Sequence, residues 1–404
     1  MIDNLCWTEK IAGTTGVPAP AIPETCCTKA ERLPAGCVSQ ILRLLAEYAE
    51  EQSLPTLKAA AERADALALL LPYDLEDEAA LAERVAEALA ISGDARQAVP
   101  DSHCVTLGMA MYICMLADLA VKNADITLTM NLEAIRGELG AFDRRLHERG
   151  RPFPGQIQCA ENVRRINEGS TATTDEGRYA YGYDTKPRVQ DAICVRAAPQ
   201  THGGVRDVLH WCQAQVLRDW QTHAKSLYRT EYAMNALATA LADLTHISER
   251  RAFRLDDSKL SYGLPMNLVP DELGINYGFA IIQSTQAAET AEVKLLTLPT
   301  AAMKRNGECL AYLAVSRQFE LIKKMNRVFA VEALMSAQGM DIVRMRVPEC
   351  VFGKGSEAAL ARLRESVALQ DRNRFVAPDM IAAEDLISGG ALLQAVEAAV
   401  GALQ

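Results

Sequence analysis

The sequence predicts an all-α fold in which long helices pack as a central bundle, and three stretches carry that expectation. Val38, Ile41, Leu42, Leu45 and Tyr48 recur at three- and four-residue spacing, the amphipathic stripe of a helix with one face against a core. The run from Cys104 to Val121 is apolar nearly all round, as a strut in the middle of a bundle needs to be. Val315, Phe319, Ile322, Met325 and Val328 repeat the helical spacing in a third long segment. Helices this apolar need partner surfaces to bury against, so an oligomer is expected.

Composition bounds the function. The chain has 404 residues, 49% of them hydrophobic and 5% aromatic, and a formal net charge of -10. That length supports a large core. The acidic balance argues against a nucleic-acid partner, whose phosphates would be repelled. The opening MIDNLCWTEK lacks the charged end and apolar run of a secretory signal. Eleven cysteines without metal-type spacing fit a reducing cytosol better than a disulfide framework, and the adjacent Cys26 and Cys27 read as free thiols. No membrane span is expected, because the most apolar run carries Asp118. The expectation is a cytoplasmic chain that uses no metal and no separate cofactor.

Taken in order, residues 1–34 read as an irregular arm, since Pro18, Pro20, Pro23 and Pro34 with Gly13 and Gly16 forbid a continuous helix. Residues 35–404 read as a single helical domain. Its first helix runs from Ala35 to about Glu51 and closes at Leu54-Pro55. Ile91-Ser92-Gly93-Asp94 reads as a helix stop. Asp101, ahead of the apolar strut, is placed to cap its N-terminus. Residues 151–189, polar and rich in Gly, Ser and Thr, read as a mobile loop. Tyr179, Tyr181 and Tyr183 alternate within it, as packing feet or as a source of a hydroxyl. A helix then passes through His210, Trp211, Trp220 and His223, and the third long helix is expected to stop near Gly339.

The chemistry concentrates in Gln190-Asp191-Ala192-Ile193-Cys194-Val195-Arg196-Ala197-Ala198-Pro199-Gln200, running on to Gly203-Gly204. Arg196 always carries charge and presents a planar fork that grips a carboxylate in two-pronged fashion. Two readings stand: a structural ion pair with Asp191, or a clamp for a ligand carboxylate.

QDAICVRAAPQTHGG resembles the Gln-Asp-x-Tyr-x-x-Arg-x-x-Pro-Gln-x-x-Gly signature of the aromatic amino acid lyase family, the histidine and phenylalanine ammonia-lyases. The resemblance continues in MNLEAIRGELGAFDRRLHERG, with Phe142, Asp143, Arg145 and His147 in register. It extends to Ser248-Glu249-Arg250-Arg251, Leu264-Pro265, Asn276-Tyr277-Gly278-Phe279, Asn306-Gly307-Glu308 and Asp371 to Asp379. It implies the family's all-α fold, a homotetramer, and active sites shared between chains. In such sites Asp101 comes from one chain, Gln190 and Arg196 from a second, and Asn306 and Glu308 from a third. Arg196 would hold the substrate carboxylate, while Asp101, His103, Lys225, Glu308 or Cys309 would supply acid, base or nucleophile.

The departures from the family are equally specific. The family's catalytic tyrosine in the signature is Ile193 here, and Ile11, before Gly13-Thr14-Thr15-Gly16, stands at the place of the base tyrosine. The family builds its methylidene-imidazolone electrophile (MIO) from Ala-Ser-Gly, a tripeptide found nowhere in the 404 residues. Ala64-Asp65-Ala66 aligns with that place, and Ile91-Ser92-Gly93 is the nearest string. Lys225 and Ser226 replace a substrate-facing phenylalanine and histidine, which suits an anionic or carrier-bound substrate. Loss of such parts costs several kcal/mol of barrier. The expectation is a lyase relative that acts on a carboxylate-bearing small molecule by general acid–base chemistry without MIO. The alternative is a non-catalytic homologue that binds a ligand or partner subunit.

Overall fold

The computed structural model describes residues 32–66, 69, 71, 78–182, 190–271 and 274–404. The Cys26-Cys27 pair, Ile11, the glycine turn of residues 13–16 and Tyr183 lie outside them. The long regular elements among the described residues are helices. They begin with α1 (Ala35–Glu51), α2 (Pro55–Arg63), α3 (Glu78–Ala88), α4 (Asp94–Asp101) and α5 (Cys104–Ala134). Then come α6 (Pro154–Ile166), α7 (Asp175–Ala180), α8 (Ile193–Arg196), α9 (Ala198–Gln221) and α10 (Tyr228–Asp256). The series ends with α11 (Ala280–Leu295), α12 (Ala311–Arg346), α13 (Lys354–Arg364), α14 (Ala377–Ser388) and α15 (Ala391–Val400).

The described residues form two compact units. The first takes the chain up to Leu116, with Leu209–Leu237 and Leu298–Glu320. Here the predicted stripe of α1 is buried: Val38, Ile41 and Leu45 are fully enclosed. Gly108 lets α5 approach α1 at backbone distance, since a Cβ there would lie 2.7 Å from the Ile41 side chain and 2.9 Å from its backbone. Pro55 occupies the first turn of α2, where its missing N–H costs nothing.

The second unit comprises Ala117–Val208, Ala238–Thr297 and Leu321–Gln404. Its part of α5 carries Asn123, Asp125, Thr127, Thr129, Asn131 and Glu133, all buried. A helix this enclosed has to find partners for its polar groups inside the protein, and several of them are paired at long range. Asn123 donates to the Ile387 carbonyl at 3.0 Å, and Thr127 to Glu332 at 2.8 Å. α5 is long and apolar enough to cross a membrane, but 78% of its most apolar stretch is buried inside the protein. It is a core helix.

Four expectations are corrected. The segment 151–189 holds α6 and α7 where a loop was expected. Pro154 opens α6, and Cys159, Ala160, Val163 and Ile166 give it a buried stripe. Asp101 ends α4, and the capping role belongs to Ser102, whose hydroxyl accepts from Cys104 N at 3.2 Å. α9 ends at Gln221, so His223 lies beyond it with φ of 45°. α12 runs through Gly339 to Arg346, because that glycine serves packing: a Cβ there would meet Ala134 at 3.0 Å and Leu264 at 3.3 Å.

Candidate functional site

The signature loop positions Arg196 at the end of α8, in the second unit. Asp191 does not pair with it. That carboxylate is buried and accepts from Glu138 N at 2.6 Å. Arg196 is half-buried, has no ion-pair partner among the described residues, and its Nε is buried without a hydrogen-bond partner. An anion's oxygen could complete that donor. Gln190 and Ile193 are exposed beside it in sequence, Ile193 at 67%. The signature's Gly203 has a packing reason: a Cβ there would lie 2.5 Å from Gln156 N, and one on Gly155 would lie 2.1 Å from the Gly203 carbonyl oxygen. α6 and α9 therefore touch backbone to backbone.

The other sequence-predicted residues gather in the first unit. His103 Nε2 lies 3.4 Å from the Lys225 carbonyl and Nδ1 lies 3.5 Å from Glu78 Oε1. Ser226 hydrogen-bonds Cys309, and Tyr228 Oη donates to the Gly307 carbonyl. The segment before α10 thereby links His103 to the turn holding Asn306 and Glu308. Lys225 and Asn306 are exposed, as is Asp101. In that turn, Gly307 takes a φ of 78° and Glu308 folds back to accept from Arg305 N at 2.9 Å and Asn306 N at 2.8 Å. Those backbone donors pull the exposed Glu308 carboxyl down to about 2. It is an anion throughout the physiological range, which removes it as a general acid. Burial pushes the Cys309 thiol up, away from the thiolate a nucleophile requires. His103 is held above the ordinary histidine range, first by its hydrogen bond to Glu78.

Tyr181 is a packing foot: it is buried, donates to the Gly263 carbonyl at 3.2 Å, and its ring lies beneath Arg136 and Arg346.

Sequence reasoning missed a buried cluster in the second unit. Asp125, Cys159 and His202 bring metal-ligand donor atoms within 4.8 Å of one another. No local spacing announces it, because its members lie 34 and 77 residues apart. The carboxylate is already filled. Asp125 accepts from His202 Nδ1 at 2.7 Å, Cys159 Sγ at 3.2 Å, Asn162 Nδ2 at 2.9 Å and Arg206 at 2.7 Å. Burial would raise the Asp125 pKa, but Arg206 and His202 hold it below the usual carboxylate range. Burial keeps His202 neutral, so Nδ1–H donates to Asp125 and Nε2 accepts from Arg251 at 3.4 Å. This is a closed structural network with two guanidiniums beside it, a poor place for a cation.

Comparison with known proteins gives this all-helical arrangement its class. The family model for aromatic amino acid lyases matches residues 75–224 and 228–365. The chain is 32% identical over 306 residues to a histidine ammonia-lyase of Alkaliphilus oremlandii, covering 69% of the chain and 57% of that protein. It is 33% identical over 322 residues to a histidine ammonia-lyase of Streptomyces griseus, covering 73% and 60%. Its fold is shared with the tyrosine aminomutase of Streptomyces globisporus at a TM-score of 0.79 and 21% identity, over 94% of this chain and 84% of that one. The chain belongs to the aromatic amino acid lyase family. It spans less than two thirds of the length of the histidine ammonia-lyases it matches.

Proposed function

We propose that this chain is an aromatic amino acid lyase relative that works without MIO, binding a carboxylate-bearing small molecule through Arg196 and moving protons by general acid–base chemistry. The observation that carries the reading is the half-buried Arg196 guanidinium, whose buried Nε has no hydrogen-bond partner among the described residues. Asp191, the nearest rival for it in sequence, is already bonded to Glu138 N.

The residues present do not fit the prosthetic group. Its formation needs a serine to lose water and a following glycine nitrogen to attack the preceding carbonyl. Ala64-Asp65-Ala66, just past α2, has neither. Ser92 and Gly93 are exposed in the turn between α3 and α4, where Gly93, with φ of 61°, caps α4. No step through an electrophile is therefore assigned. Of the sequence-predicted acid–base groups, His103 suits a proton donor: it is a quarter exposed and flanked by two acceptors. In the family resemblance one site draws on several chains, and there Lys225 and Asn306 would meet the ligand's polar groups while Asp101 and the ionised Glu308 would offset its developing positive charge. Gln190 and Ile193 flank the clamp.

The family resemblance supports a homotetramer with shared sites. The second unit carries apolar side chains for another copy to cover: Ile275, Tyr277 and Ile281 are 72%, 66% and 70% exposed. The test is incubation with histidine, phenylalanine and tyrosine while following the corresponding unsaturated acids, together with NMR titration of those acids against wild type and Arg196→Ala. The reading expects no deamination, binding by the wild type and loss of binding in the variant. Deamination, or equal binding by both proteins, would overturn it.

A further inference from the structure

His103 is unusual in its backbone as well as its ring. Its φ of 53° is left-handed, a conformation that costs a side-chain-bearing residue about 1 kcal/mol and is held only where the surroundings fix it. The result is an imidazole aimed between two oxygen atoms: Glu78 Oε1 at 3.5 Å from Nδ1 and the Lys225 carbonyl at 3.4 Å from Nε2. A neutral imidazole has one N–H, so one nitrogen would then turn a lone pair toward an acceptor. Only the cation satisfies both. His202 makes the contrast, since it faces one acceptor, Asp125, and one donor, Arg251.

We propose that Glu78 is the positioning residue for His103, holding its imidazole as the doubly protonated cation while the Lys225 carbonyl fixes the ring's other edge. This rests on the reading of His103 as the proton donor of the site. Glu78 opens α3 and is itself anchored by Thr106 Oγ1 on α5. Among the described residues, the charged groups facing the ring are Glu78 on α3 and Asp101 at the end of α4. The segment before α10 contributes the carbonyl of Lys225. The Glu78 and His103 side chains are 28% and 25% exposed, so a small molecule can reach the pair.

The experiment is an NMR pH titration of ring-labelled histidine in the full chain, with His103 assigned through His103→Gln. The wild-type midpoint is expected above the free-histidine value of about 6.5, and Glu78→Gln should lower it by about one pH unit. Glu78→Asp, which keeps the charge, should restore part of the rise. A wild-type midpoint at or below the free value overturns the proposal even if Glu78→Gln fails to fold, and so does an unchanged midpoint in that variant. The functional reading fails separately. A high midpoint in a protein that Arg196→Ala leaves unaltered in ligand binding keeps the dyad and discards the clamp.

Discussion

Arg206 lies 2.7 Å from Asp125 with both side chains in the core, the carboxylate wholly enclosed and the guanidinium 5% exposed. Breaking such a pair strands a buried charge. Arg206→Met is expected to cost about 3–5 kcal/mol in urea unfolding. Arg144→Ala, which removes a solvent-exposed pair with Glu148, is expected to leave stability nearly unchanged. Equal effects of the two variants would contradict the assignment of the Asp125 network as a structural keystone.

Glu133 sets a pH dependence of stability. Its buried carboxyl accepts from Gly353 N at 2.9 Å and from Asn167, yet burial pushes its pKa up to about 8. A folded-state pKa raised above the unfolded value means that the native state holds its proton longer. The stabilisation is full below about 4.5 and is lost as pH rises toward 8. Denaturation midpoints between pH 5 and 8 should fall with rising pH, and Glu133→Gln should flatten the slope. An unchanged slope in the variant would refute this.

The Gly155–Gly203 crossing should tolerate no methyl group. Gly203→Ala is expected to lower stability by about 1–3 kcal/mol through displacement of α6 against α9, measured as a loss in Tm. Gly204→Ala is the control, since a Cβ there meets nothing within 4 Å. Matching losses would show that the signature glycines serve something other than this contact.

Glu308 should not titrate where enzymes work. The amide signals of Arg305 and Asn306, its two donors, are expected to report a midpoint near 2, and Glu308→Gln should speed their hydrogen exchange. A midpoint near the ordinary 4.5 would return Glu308 to the list of candidate acids.

The helical class, the core stripe of α1 and the enclosed start of α5 were legible because periodicity and continuous apolarity are local signals. The signature was legible as a string, and with it the position of Arg196. What the string could not show is that Asp191 is occupied by Glu138 N, 53 residues away. The Asp125 network escaped for the same reason: Arg206 and Asp125 stand 81 residues apart. Ser102 rather than Asp101 caps α5, and His103 between the cap and the helix is left-handed and contacts Glu78 and Lys225, which are distant in sequence. Gly339 looked like a stop because glycine ends helices, but within α12 it serves close packing against Ala134.

What is proposed is that the family's frame and its arginine grip persist here without the family's electrophile. Mass spectrometry of the tryptic peptides Val85–Arg96 and Ala64–Arg84 tests it directly, since they contain Ser92-Gly93 and Ala64-Asp65-Ala66. Both peptides are expected at the masses their sequences encode. Either peptide lighter by two waters, with the ultraviolet absorbance of a conjugated ring, would contradict it.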